Sequence, residues 1–342
     1  MKVLIQVTHP AHVHFYKNLI EEAQNQDHEI TVIARDKDVT VDLLEGLGID
    51  YKKYMRSIST DVMHIRRQLR STKNTYDIAN RFGADVMTAI GGTAVSYASL
   101  LTDATSLIFT DTEHATLQNS ITFPFADRIY TPDCYMNDIG DKHVRYPGYH
   151  ELAYLHPNQF NPDASVVRRA GINPREKYVI LRLVSWDAVH DVGDSGFDDV
   201  VEVVEEIEAT GTRVLITSEA DLPKAVEDRR LTVSPHNIHH LMAYANLFLG
   251  ESTTMAAESA VLGTPAVCVS SSRRGYTDEL EKKYKLVFNY CGLDRQRNGL
   301  KRALSILENY DEQLWTNRRE IMLEDKIDVT EFLIETILEE NQ

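Results

Sequence analysis

The segment LFLGESTTMAAESAVLGTP, residues 247–265, decides the fold. Leu247–Gly250 is a short apolar run ending in glycine, the pattern of a strand buried on both faces. Ser252 then precedes Thr253 to Leu262, a run of helical character. A serine there caps a helix by accepting a hydrogen bond from a first-turn amide. Gly263 is placed to end the helix, and Pro265 blocks its continuation. A strand that turns at once into a capped helix, followed by a further apolar run at Ala266–Ser270, is one step of a parallel α/β sheet. The free amides and dipole of the helix N-terminus, with hydroxyls on Ser252, Thr253 and Thr254, suit an anion. Glu258 is a carboxylate in an otherwise small and apolar helix. Either it faces solvent or it requires a hydroxyl or amide partner.

The same alternation extends in both directions. Strands are expected at Lys2–Thr8, Glu29–Ala34, Asp85–Ile90, Ser106–Thr110 and Arg128–Thr131, with helical spacing at His14–Ala23 and Val39–Leu47, while the polar stretch Thr60–Phe82 has helix formers but few apolar positions. Between about Arg145 and Pro174, prolines and glycines interrupt every periodicity, which reads as a linker. Strands then resume at Tyr178–Val184, Arg213–Thr217 and Leu247–Gly250, and the tail from Gln296 is helical. Two doubly wound halves are therefore expected, residues 1–160 and 161–342, with the last helices packing back on the first half. In such sheets ligands bind beyond the carboxyl ends of the strands.

At 342 residues the chain is long enough for two domains with separate cores. A net charge of −16 excludes a general nucleic-acid binder, which presents a basic face. The three cysteines are too dispersed for a disulfide framework or a zinc site. No leader or membrane-length apolar run is apparent, so a cytoplasmic protein is expected. Arg66, Arg67, Arg70, Lys73 and Arg81 cluster in the polar stretch before Phe82. They are either a solvated face or a dock for an anionic acceptor or the inner membrane surface.

In the first half, His9, His12 and His14 follow the first strand. Their spacing is poor for one helix face, so no metal site is expected. His12 and His14 are instead candidates for proton transfer. Asp111-Thr112-Glu113-His114 follows the strand at Ser106–Thr110, which makes Glu113 and His114 further acid/base candidates. In the second half, Arg182 ends a strand, His190 lies in the loop beyond it, and Arg273 and Arg274 follow Ala266–Ser270. Arg182 and Arg273 are candidates to offset anionic charge, and His190 to reach a leaving group.

Ser252-Thr253-Thr254, Glu258 and Leu262-Gly263-Thr264-Pro265 resemble, without a gap, the second-domain motif of UDP-N-acetylglucosamine 2-epimerases and N-acetylglucosaminyltransferases. HPAHVHFYKNLIEEA, FTDTEHATLQNSITFPFADRIYTP and VILRLVSWDAVHDVG, together with this segment, identify the chain as a member of the domain of unknown function 354 family. The resemblance implies a GT-B fold, two Rossmann-like domains facing a cleft. It implies that Ser252, Thr253 and Thr254 hold a diphosphate and that Glu258 takes ribose hydroxyls. The two threonines replace glycines of the related motif. Gly91-Gly92-Thr93 lacks the aspartate that the epimerases carry there, and Ala115-Thr116-Leu117 replaces their Glu-Ala-Gly-Leu-Arg string.

These departures favour a metal-independent glycosyltransferase of surface polysaccharide or glycoprotein glycan synthesis, with a UDP-sugar as donor, a lipid-linked or glycan acceptor, and no other cofactor. Two readings stand beside it: an NDP-sugar 2-epimerase or hydrolase, and a sugar-nucleotide-binding protein without catalysis. A homodimer is compatible with all three.

Overall fold

The computed structural model describes residues 1–36, 38–56, 64–184, 197, 199–218 and 221–339. The chain forms two compact units. The first comprises Met1–Gln159 together with Lys326–Gln342, and the second Phe160–Asp325.

The first unit holds the strands β1 (Lys2–Val7), β2 (Glu29–Asp36), β3 (Tyr51–Arg56), β4 (Val86–Ile90), β5 (Thr105–Phe109), β6 (Arg128–Pro132) and β7 (His143–Tyr146). They form one parallel sheet in the order β3-β2-β1-β4-β5-β6-β7. Parallel strands need crossovers, and crossover helices cover both faces, which is why β1, β4 and β5 are almost continuously apolar. One core layer joins Leu4, Ile33, Met87, Ile108 and Ile129 to Ala79, Val95 and Ala98 of the helices His64–Phe82 and Thr93–Ser99. Another core region is aromatic. Phe109 stacks on Tyr130 at 4.9 Å between ring centroids, Tyr146 on Phe332 at 4.9 Å, and Phe15 lies edge-on to Tyr16.

The second unit holds β8 (Tyr178–Leu183), β9 (Arg213–Ser218), β10 (Leu247–Gly250), β11 (Ala266–Val269) and β12 (Val287–Tyr290), all parallel, in the order β12-β11-β10-β8-β9. Strand order reverses between β1 and β4 in the first sheet and between β8 and β10 in the second. These are the points where doubly wound sheets open a crevice beyond their carboxyl ends.

The first part of the stretch expected to be a linker, residues 146–155, is core, and the two units divide just after it, between Gln159 and Phe160. Tyr146, Tyr149 and Tyr154 are fully buried, and β7 adds an edge strand just before Pro147. A four-residue strand and the single helical turn Leu152–Leu155 are too short to leave a periodic signal. From Lys326 on, the chain belongs to the first unit. The Lys326 ammonium donates to Asp133, and the Thr330 hydroxyl donates to the Ala153 carbonyl at 2.6 Å.

Candidate functional site

The carboxyl edge of the second sheet is organised around Gly250. In the β10–β8 register it lies beside Arg182, and a Cβ at 250 would fall 2.7 Å from both the Cβ and the carbonyl oxygen of Arg182. Only glycine allows this approach. The next residues extend the pairing: the Glu251 amide donates to the Arg182 carbonyl at 3.2 Å, and the Val184 amide donates to the Glu251 carboxylate at 2.7 Å. The strand then hands over to the helix Thr253–Leu262. Ser252 is its N-cap, with Oγ accepting from the Met255 amide at 3.2 Å, and Gly263 ends it at φ 92°. The Tyr276 hydroxyl donates to Thr253 Oγ1 at 3.1 Å and orients that hydroxyl. Arg182, Ser252 and Thr253 thus stand together at the β8/β10 switch point, beside a helix N-terminus.

Glu258 is buried, at 5 % exposure, and does not face solvent. Its Oε1 lies 3.0 Å from Nε2 of His239, itself buried in the helix Ile238–Tyr244. A carboxylate inside an apolar helix needs such a partner. The sequence reading anticipated the need but missed His239, which is separated from Glu258 by 19 positions and one strand. Arg273 is ion-paired, 3.3 Å from Asp278 and 2.8 Å from Glu281. Its charge is shared with two carboxylates of the helix Gly275–Lys282.

The carboxyl edge of the first sheet carries titratable groups. Pro10 starts the helix Pro10–Asn25, and the His9 ring caps it by accepting from the Ala11 amide at 3.2 Å. One turn in, His12 Nδ1 lies 3.5 Å from both the amide and the hydroxyl of Thr8. Burial, with smaller contributions from His9 and His150, pushes the His12 imidazole down to about 3, so it is neutral at physiological pH. His14 turns into the core and stacks on Tyr154 at 5.2 Å, away from its neighbour His12.

Beyond β5, Asp111 takes the Thr112 hydroxyl at 2.8 Å and lies 3.3 Å from His150 Nδ1. His150 was not a sequence candidate. It sits in the bend before Leu152, in the stretch read as linker. It is 7 % exposed, and its buried Nε2 has no hydrogen-bond partner among the described residues. Burial lowers its basicity, and Asp111 offsets part of that effect. Glu113 is buried at 5 % exposure and accepts from the Met136 amide at 3.3 Å. Burial, then Glu113 and Asp111, push the nearby Tyr135 phenol up to about 12. His114, next to Glu113, is exposed, and His190 lies outside the described residues. The structure thus gathers His12, His150, Asp111 and Glu113 at one sheet edge, while His14 is buried and His114 turns to solvent.

The fold has close counterparts among solved structures. The UDP-GlcNAc 2-epimerase from Neisseria meningitidis bound to UDP-GlcNAc aligns with a TM-score of 0.67 at 13% identity, over 99% of this chain and 100% of that one. The UDP-GlcNAc 2-epimerase from Methanocaldococcus jannaschii in complex with UDP-GlcNAc and UDP aligns with a TM-score of 0.64 at 13% identity, over 91% and 94%. SsfS6, a glycosyltransferase from Streptomyces sp. SF2575, aligns with a TM-score of 0.61 at 10% identity, over 97% and 99%. At these identities the likeness establishes the GT-B fold alone. No curated protein matches the chain by sequence. A family model described as "Protein of unknown function (DUF354)" matches residues 1–335, and the chain belongs to that family.

Proposed function

We propose that this protein is a sugar-nucleotide-dependent glycosyltransferase, with the donor held by the second unit and the acceptor by the first. The observation that carries the reading is the Gly250–Thr254 turn, where a glycine-dependent close approach delivers a capped helix N-terminus to the β8/β10 switch point. A nucleoside diphosphate fits it, because free amides, hydroxyls and the Arg182 charge all favour an anion there. The resemblance of this segment to enzymes of UDP-N-acetylglucosamine favours a UDP-sugar and implies ribose recognition by Glu258, whose Oε1 is paired with His239.

In transfer, an acceptor hydroxyl oxygen attacks the anomeric carbon and its proton passes to a base. The carbon–oxygen bond to the diphosphate breaks, and the diphosphate leaves with the electron pair. Glu113 is the first candidate for the base, with His12 second. Leaving-group charge is met by the helix N-terminus and Arg182 rather than by a metal ion.

Calorimetric titration with UDP-, GDP- and dTDP-sugars tests the donor site, and product analysis with UDP-N-acetylglucosamine tests the reaction. Transfer only when a glycan acceptor is added supports the proposal, and Glu113→Gln then lowers turnover roughly 10²–10⁴-fold with unchanged nucleotide affinity. Release of an epimer or of free UDP without acceptor replaces it with the epimerase or hydrolase reading. Binding without turnover on any acceptor replaces it with a binding protein.

A further inference from the structure

We propose that the groove lined in part by Glu113 in the first unit is a subsite for an uncharged or amine-bearing, hydroxyl-rich acceptor, such as the end of a glycan, and that it rejects phosphorylated acceptors. The inference rests on the glycosyl-transfer reading and names its acceptor class.

The groove has a volume of about 770 Å³, within the range of roughly 300–1,000 Å³ typical of small-ligand sites. One wall is the helix Thr116–Thr122, which lines it with Thr116, Asn119 and Ser120. The other wall is the connection from β6 to β7, which contributes Asn137, Asp138 and Asp141. Phe123, Ile129, Tyr135 and Ile139 supply apolar surface, and Glu113 is among the lining residues. A sugar ring matches this lining: its C–H faces pack on apolar and aromatic surface, and its hydroxyls donate to carboxylate and amide oxygens.

The second wall is a built structure. The Arg145 guanidinium donates to the carbonyls of Asp133, Tyr135 and Asn137, and the Lys142 ammonium donates to those of Pro124 and Ala126. The Asn119 amide donates to the Thr112 carbonyl at 3.0 Å and to the Tyr135 hydroxyl, tying the two walls together beside Glu113.

These bonds take up the N–H donors of both cations but leave their charge in place. Three carboxylates, Glu113, Asp138 and Asp141, line the groove against Lys142 and the neighbouring Arg145. The local field is negative, so a phosphate is repelled and a hydroxyl or ammonium group is favoured. A phosphorylated acceptor must therefore keep its anionic part outside this groove.

Saturation-transfer NMR on the intact chain without nucleotide tests the subsite, using methyl glucoside, methyl glucosaminide and glucose 1-phosphate as probes. Both glycosides are expected to receive saturation, and glucose 1-phosphate to bind at least fivefold more weakly than methyl glucoside. Ser120→Trp, a change at an exposed rim position, should weaken both glycosides tenfold or more by filling the groove. Asp138→Asn combined with Asp141→Asn should bring glucose 1-phosphate within about twofold of methyl glucoside. Absence of saturation transfer from the glycosides, unchanged glycoside binding in Ser120→Trp, or equal binding of glucose 1-phosphate by the unmodified chain would each overturn the proposal. UDP titration of the same samples reads the second unit alone. Glycoside binding without UDP binding therefore removes the donor reading and keeps the subsite, and the converse removes the subsite and keeps the donor reading.

Discussion

The two sheets present different chemistry at equivalent places. Where strand order reverses in the second unit, the edge offers amides, hydroxyls and Arg182 around the helix Thr253–Leu262. Where it reverses in the first unit, and at the neighbouring end of β5, the edge offers imidazoles and carboxylates: His12, His150, Asp111 and Glu113. The first arrangement is made of hydrogen-bond donors and a guanidinium, groups suited to an anion. The second includes two imidazoles, His12 and His150, whose basicity is lowered by burial. One architecture thus carries hydrogen-bond donors around a helix N-terminus in one unit and titratable side chains in the other, because what stands at a strand end depends on the loop and not on the sheet.

The contrast can be broken most forcefully at the buried pair of Glu258 and His239. His239→Ala leaves the Glu258 carboxylate buried without its imidazole and should cost about 3–5 kcal/mol in a urea unfolding titration. Glu258→Gln keeps a hydrogen-bonding oxygen for His239, so most of that stability should persist while UDP affinity falls by roughly 1–3 kcal/mol in calorimetry. Unchanged UDP affinity there would confine Glu258 to a structural role.

Gly250→Ala places a methyl group against the Arg182 backbone. It should destabilise the protein by about 1–3 kcal/mol and weaken UDP binding together with stability. Loss of stability at constant affinity would separate the close approach from nucleotide binding. Ser252→Ala removes the cap and should cost about 1 kcal/mol by the same unfolding titration.

A separate test comes from pH and should appear in the first unit. The His12 imidazole is lowered from 6.5 to about 3 on folding, so between these values the unfolded chain binds more protons. Its contribution to stability is complete above about pH 6.5 and is lost as pH falls toward 3. His12→Asn should flatten that acid limb of the stability profile, measured by thermal unfolding across pH 4–8. An unchanged limb would assign the acid sensitivity elsewhere, with His150, lowered in the same direction, as the next group to replace.

Much of this architecture was legible before any coordinates. Ser252 as a cap, Gly263 as a stop and the alternation of apolar runs with helical spacing are properties of neighbours in the chain, and local geometry obeys local spacing. The strands β3, β7 and β12 were not legible, because all three are edge strands without the continuous apolar run of a strand buried on both faces, and proline and glycine beside β7 imitated a linker around a buried aromatic core. The candidate site divided along the same line. Its helix N-terminus and the acidic loop after β5 could be read from sequence. The partners that give those residues their properties could not: His239 for Glu258, His150 for Asp111, and Asp278 and Glu281 for Arg273. A buried charge states that it needs a partner, but which residue arrives is settled by packing between elements distant in sequence. The sequence by itself therefore determined the strand, cap and stop that place a helix N-terminus at the end of β10. Only the tertiary structure decided which carboxylates and imidazoles are buried together, because burial and long-range pairing, unlike capping and periodicity, leave no regular spacing along the chain.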